Sequence, residues 1–81
     1  MLTAEIRIEL KKGVADPEGK NVKKTLELLG FDGIKAVKTV KVFMVEMETD
    51  DRDKAALDAE EMCRKLLANP VIQNYSIRIE G

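Results

Sequence analysis

Hydrophobic and polar positions alternate strictly at the start of the chain. Leu2, Ala4, Ile6, Ile8 and Leu10 fall on one side and Thr3, Glu5, Arg7 and Glu9 on the other, which predicts a half-buried strand with one wet face. The stretch "KKGVADPEGK" breaks that pattern. Within it Asp16 supplies an N-cap and Pro17 a first helical residue whose missing N–H costs nothing there, so a helix is expected to start at Pro17. Val22, Leu26 and Leu29 recur on one helical stripe, Lys20, Lys23, Lys24 and Glu27 cover the remaining faces, and Gly30 closes the helix as a left-handed cap. The segment "TDDRDKAALDAEEMCRKLLANP" is the clearest helix. Its acidic start suits the positive end of the helix dipole, Ala55, Ala59, Met62, Cys63 and Leu66 recur at helical spacing, and Asn69-Pro70 stops the run. A last strand is expected over residues 71–80, with Val71, Tyr75, Ile77 and Ile79 on one face.

Between the two helices lies "GIKAVKTVKVFMVEM", Gly33 to Met47, which reads as extended throughout and is about three times as long as a typical strand. A hairpin here would complete the split βαβ order of ferredoxin-like domains. The segment resists that, because "VKTVKVF" contains no glycine or Asn-Gly with which to form a two-residue turn. Ile34, Ala36, Val40 and Val42 share one side with Lys38, whereas Phe43, Val45 and Met47 lie on the other, and Val42, Phe43, Met44 and Val45 are apolar on both faces. Such a change of phase means a bulge, a bend, or a strand that passes from one hydrophobic environment into another. In a chain this short the second environment has to come from another subunit. The expected fold is therefore α+β, related to the ferredoxin-like βα(β)βαβ order, in one domain spanning residues 1–81, with a long central strand, Ile34 to Glu48, shared across an oligomer.

Composition adds mainly exclusions. A chain of 81 residues buries only roughly 60% of its unfolded surface, so a lone monomer is expected to be marginal. A net charge of −1 argues against nucleic-acid binding by phosphate neutralisation. One cysteine excludes an internal disulfide and points to a reducing cytoplasm. No segment has the length and apolarity of a membrane span, and no apolar run follows a basic start, so neither membrane nor targeting is expected.

Catalytic chemistry is sparse. With no histidine, the commonest general base and metal ligand are both missing. Cys63 sits on the apolar stripe of its helix and reads as a small core residue, not a nucleophile. Asp50, Asp51 and Asp53 lack the spacing and glycine of a calcium loop and are read as helix-capping residues. "GVADPEGKN" departs from a phosphate loop in glycine spacing, and its Asp16 and Glu18 would repel phosphate. Lys35, Lys38 and Lys41 read as a solvated strand edge, because an RNA-binding sheet requires exposed aromatics. Met44, Val45 and Met47 suit either the chain's own core or a subunit interface. No catalytic, cofactor or metal site is assigned, and function is expected to lie in surfaces and assembly.

Two stretches carry a resemblance to a known family. "KKGVADPEGKNVKKTLELLGF" is similar to the N-terminal signature of PurS, the small subunit of phosphoribosylformylglycinamidine synthase, and "MCRKLLANPVIQNYSIRIE" to the C-terminal one. Ala15 replaces a consensus leucine, Glu18 a common glutamine, and Val40 a glycine that many members carry between two basic residues, here Lys38 and Lys41. The resemblance implies a non-catalytic subunit of an ATP- and Mg-dependent ligase complex. The complex converts formylglycinamide ribonucleotide (FGAR), ATP and glutamine to formylglycinamidine ribonucleotide (FGAM), ADP, phosphate and glutamate. It implies a homo-oligomer, dimer or tetramer, that joins the glutaminase PurQ to the synthetase PurL and assists ammonia transfer between them. Asp16, Pro17, Gly19, Lys38 and Lys41 are expected to face partners, and Val42, Phe43, Met44 and Val45 to lie at the partner or oligomer interface. A competing reading is a dimeric regulatory module of the ACT type, which has the four-stranded βαββαβ order and binds a small molecule.

Overall fold

A computed structural model describes residues 1–81. The order is β1 (Leu2–Leu10), α1 (Pro17–Leu28), β2 (Val40–Met47), α2 (Arg52–Met62) and β3 (Gln73–Glu80). The three strands form one antiparallel sheet in the order β2-β1-β3. No fourth strand forms, which separates the fold from the ACT arrangement.

The alternation of β1 is realised as expected. Leu2, Ala4, Ile6 and Ile8 are buried, and their neighbours across the ladder, Met47, Val45 and Phe43 on β2 and Ile79, Ile77 and Tyr75 on β3, extend the same apolar face. Helix α2 covers that face with Ala55, Ala59 and Cys63, all fully buried. These three small side chains repeat every fourth residue, so the helix backbone lies close to the sheet. After Met62 the helix widens into a π-helical turn, Cys63–Leu67, closed by Ala68 N–H donating to Cys63 O at 3.0 Å. Cys63 and Ala68 stay buried while Leu66 points outward, 82% exposed.

The opposite face of the sheet carries no helix. Thr3, Glu5, Arg7 and Glu9 lie there beside Val42 and Met44 on one flank and Ser76 and Arg78 on the other. Arg78 bridges Glu5 at 3.1 Å and Glu80 at 2.6 Å.

Two element boundaries differ from the pattern. Strand pairing in the central segment covers only Val40–Met47, because β1 ends at Leu10 and residues 34–39 run past it with no neighbouring strand in this chain. At the C-terminal end, β3 begins at Gln73 instead of residue 71. Asn69 organises a turn here: its side chain accepts Val71 N–H at 3.1 Å and its carbonyl accepts Gln73 N–H at 2.8 Å. Val71 is consequently exposed and joins no strand face.

Helix α1 stands apart. It starts at Pro17 and ends in a Schellman motif, with Gly30 at φ +95°, Gly30 N–H donating to Glu27 O and Phe31 N–H to Leu26 O. Gly19 is its only buried residue. Val22 is 43% exposed and Leu29 70%, so the apolar stripe meets no complementary surface in its own chain. The molecule measures 49 × 26 × 15 Å with a radius of gyration of 16.2 Å, against about 12 Å for a compact chain of this length. It consists of an α/β body and a projecting arm made of α1 and residues 31–39.

Candidate functional site

The expected partner-facing residues fall into two groups. The first gathers where the arm joins the body. Asp16 Oδ1 accepts the Gly19 N–H at 2.9 Å, as an N-cap should, and the Thr39 hydroxyl at 3.1 Å. Its Oδ2 accepts the Thr39 N–H at 2.7 Å. One carboxylate thus ties the start of α1 to the residue before β2. The backbone hydrogen bond from Gly19 and then that from the Thr39 N–H, with a smaller contribution from the Thr39 hydroxyl, hold the Asp16 carboxyl below its ordinary range against the opposing effect of partial burial. Gly19 is required by close approach, because a Cβ there would collide with the Val37 carbonyl and with Asp16 itself.

Around this clasp lie two adjoining hollows. One, of about 410 Å³, is bordered by Lys11, Lys12, Gly13 and Lys38, together with Asp16 and Asn74. The other, of about 330 Å³, is bordered by Pro17, Glu18 and Lys41 and shares Glu9, Asp16 and Thr39 with the first. Asp16, Pro17, Lys38 and Lys41 are therefore brought together, with Gly19 packed beneath them. Thr39 belongs to this cluster and sequence reading missed it. It lies 23 residues from Asp16, and no local pattern marks so distant a hydrogen bond.

The second group divides. Val42 and Met44 lie on the open face of the sheet, 47% and 55% exposed. Phe43 and Val45 point the other way and pack against the chain's own core, Phe43 with the Lys41 ammonium 5.9 Å from its ring centre. The two-sided apolarity of this segment thus serves one face that is filled and one that is bare.

A third surface was not anticipated. Val45, Met62, Leu66 and Leu67 line an apolar groove of about 440 Å³ between β2 and the π-helical turn, flanked by Asp58 and Glu61. The π-helical turn creates it by turning Leu66 outward, and the helical periodicity in the sequence gives no sign of that.

The other polar groups have structural duties. Asp51 caps α2 by accepting the N–H groups of Asp53 and Lys54, both at 3.1 Å, and Asp50 pairs with the amino terminus at 2.7 Å. The Tyr75 hydroxyl donates to Glu60 Oε1. That bond, with burial, raises the tyrosine pKa. Burial first, and Glu60 second, push the Cys63 thiol up. A buried, protonated thiol without a basic neighbour is no nucleophile.

The chain is similar to proteins of one kind over nearly its whole length. The family model for "PurS: Phosphoribosylformylglycinamidine (FGAM) synthase" matches residues 3–81. The phosphoribosylformylglycinamidine synthase subunit PurS of Archaeoglobus fulgidus is 57% identical over 76 residues, covering 94% of this chain and 95% of that one. The crystal structure of Methanocaldococcus jannaschii PurS superposes with a TM-score of 0.89 at 46% identity, covering 99% of this chain and 96% of that one. A chain in the structure of PurLQS from Thermotoga maritima matches with a TM-score of 0.83 at 27% identity, covering 98% of both. The chain belongs to the PurS family, whose members are subunits of phosphoribosylformylglycinamidine synthase, a glutamine-dependent ligase of purine biosynthesis.

Proposed function

We propose that the chain is a non-catalytic assembly subunit that joins the synthetase PurL to the glutaminase PurQ and assists the passage of ammonia between them, in the cytoplasm. The complex would convert FGAR, ATP and glutamine to FGAM, ADP, phosphate and glutamate, with ATP and Mg bound outside this subunit. The observation that carries the reading is the projecting arm, whose apolar stripe of Val22, Leu26 and Leu29 lacks a partner in its own chain. A helix of 12 residues is marginal in water by itself, so this one is built to be covered. The lack of histidine and the buried state of Cys63 agree with a subunit that does no chemistry of its own. The Thermotoga maritima PurLQS structure supplies the partner identities by analogy.

The chain is also proposed to self-associate. Arms and bare sheet faces of two copies would cover one another, and residues 34–39 would gain the strand neighbour they lack here. Ammonia released to solvent is protonated and lost as a nucleophile, so a complex that transfers it benefits from a sealed and oriented junction. Asp16, Pro17, Lys38 and Lys41 at the joint, and Val42 and Met44 on the open face, are the proposed contact residues.

Reconstitution tests this reading. Mixed with PurL and PurQ from the same organism, the chain should restore glutamine-dependent FGAM formation while leaving ammonia-dependent formation by PurL little changed. Equal glutamine-dependent rates with and without the chain would refute the assembly role.

A further inference from the structure

The net charge of −1 conceals a division. Residues 11–41 hold eight lysines against four acidic residues, a net of +4, whereas residues 42–81 hold five basic against nine acidic residues, a net of −4. The division follows the shape, since the first stretch is the arm with its joint and the second is most of the body. Pairing differs as well. In the body, Lys54 pairs with Asp58, Lys65 with Glu61 and Arg78 with Glu5 and Glu80. Of the eight lysines in residues 11–41 only Lys23 has an ion-pair partner, Glu27 at 3.3 Å.

Lys11, Lys12 and Lys38 come from different segments and border the same 410 Å³ hollow. Two carboxylates lie nearby. Asp16 is already committed to Gly19 and Thr39, and Glu9 forms no ion pair. Three lysines against the two carboxylates of Glu9 and Asp16 leave the rim of the hollow net positive, which favours an incoming anion. On α1, Lys20 and Lys24 project from the side opposite Val22 and Leu26, so the apolar stripe can be covered while the lysines stay accessible.

We infer that the hollow at Lys11, Lys12 and Lys38 is a docking surface for an acidic protein segment, whose carboxylates belong to a partner subunit of the ligase complex. The inference rests on the assembly role proposed above and adds the chemistry of the contact. A nucleic acid is the less suitable occupant. The whole chain is slightly acidic, and two of its three aromatics, Phe43 and Tyr75, pack against the core, leaving Phe31 as a single exposed ring instead of a row of stacking surfaces.

The test is the salt dependence of binding to PurL and, separately, to PurQ, from about 50 to about 300 mM salt, a range over which exposed charges become screened. The wild type is compared with a Lys11→Gln, Lys12→Gln, Lys38→Gln triple variant and with a Lys54→Gln, Lys65→Gln control whose lysines are paired within the body. Loss of three surface charges should weaken binding to one partner about tenfold at low salt and flatten its salt dependence, with the control within about twofold of wild type. Lys38→Glu alone, at an exposed position, should shift affinity in the same direction, and circular dichroism checks that each variant folds. A triple variant with wild-type affinity and salt slope overturns the inference while leaving the assembly role standing. A wild type that binds neither partner at any salt refutes the assembly role itself. Tighter binding of a single-stranded oligonucleotide than of either partner, abolished in the triple variant, overturns the inference in favour of nucleic acid.

Discussion

Asp16 does at the residue scale what no other side chain in the molecule does: it accepts three hydrogen bonds, one from Gly19 in its own helix start and two from Thr39, 23 residues away. Its capping role is legible from Asp-Pro alone, but its hold on Thr39 is not, because that contact exists only once the chain has folded. Asp16→Ala should lower the melting temperature and speed amide exchange in α1 and at Thr39 more than in β1. The carboxyl is held below its ordinary value of 3.8, so the stabilisation it contributes is fully present above the unfolded pKa and is lost as pH falls through the lower folded one. Melting between pH 5 and 8 should therefore be indifferent to this group, with the arm loosening only below about pH 4. Gly19→Ala reverses a common expectation. In an open helix interior this change stabilises by about 0.5–1 kcal/mol, but the Val37 carbonyl occupies the space a Cβ needs, so thermal melts should show a loss. In the body, Ile6 is fully buried on the central strand between Phe43 and Ile77. Ile6→Ala should cost about 3 kcal/mol and lower the melting temperature by more than about 10 °C.

Elements whose neighbours are close in sequence, or whose face pattern is clean, were readable. The alternation of β1 and, in α2, the positions of Ala55, Ala59 and Cys63 mark the buried face, whereas Leu66, on the same expected stripe, is exposed; Pro17 and Gly30 mark the two ends of α1. Strand pairing was less readable, because it depends on where a neighbour ends: residues 34–39 keep a strand-like pattern but lie beyond the end of β1. The start of β3 differs for another reason. Asn69-Pro70 reads as a helix stop, yet the Asn69 side chain also organises the turn that follows. An amphipathic stripe looks the same whether its partner is the same chain or another, so the isolation of α1 was not written in its sequence. This predicts a separation of effects. Leu26→Asp should leave the melting of the sheet close to wild type but reduce self-association, because Leu26 contributes nothing to the buried core. Met44→Asp should act the same way from the bare sheet face, whereas Phe43→Asp should unfold the body, since Phe43 packs against the core.

At the scale of the molecule, the chain is extended and thinly cored. Only Leu2, Ile6, Ile8 and Met47 are large side chains in the buried cluster, at about 1.5–3 kcal/mol each, while the arm adds exposed apolar surface. The absence of a catalytic constellation, read from composition, and the family resemblance, read from two signatures, both pointed to assembly as the function. The segregation of charge did not emerge from the net value, which averages the arm and the body. Covering the arm with a second copy is the central feature of the proposed assembly. The most direct measurement is the mass of the wild-type chain in solution by light scattering at micromolar concentration, beside Leu26→Asp. A particle of at least two copies of the 9.1 kDa chain, dissociating in the variant, is predicted; a stable, folded wild-type monomer whose α1 amides are protected from exchange would contradict it.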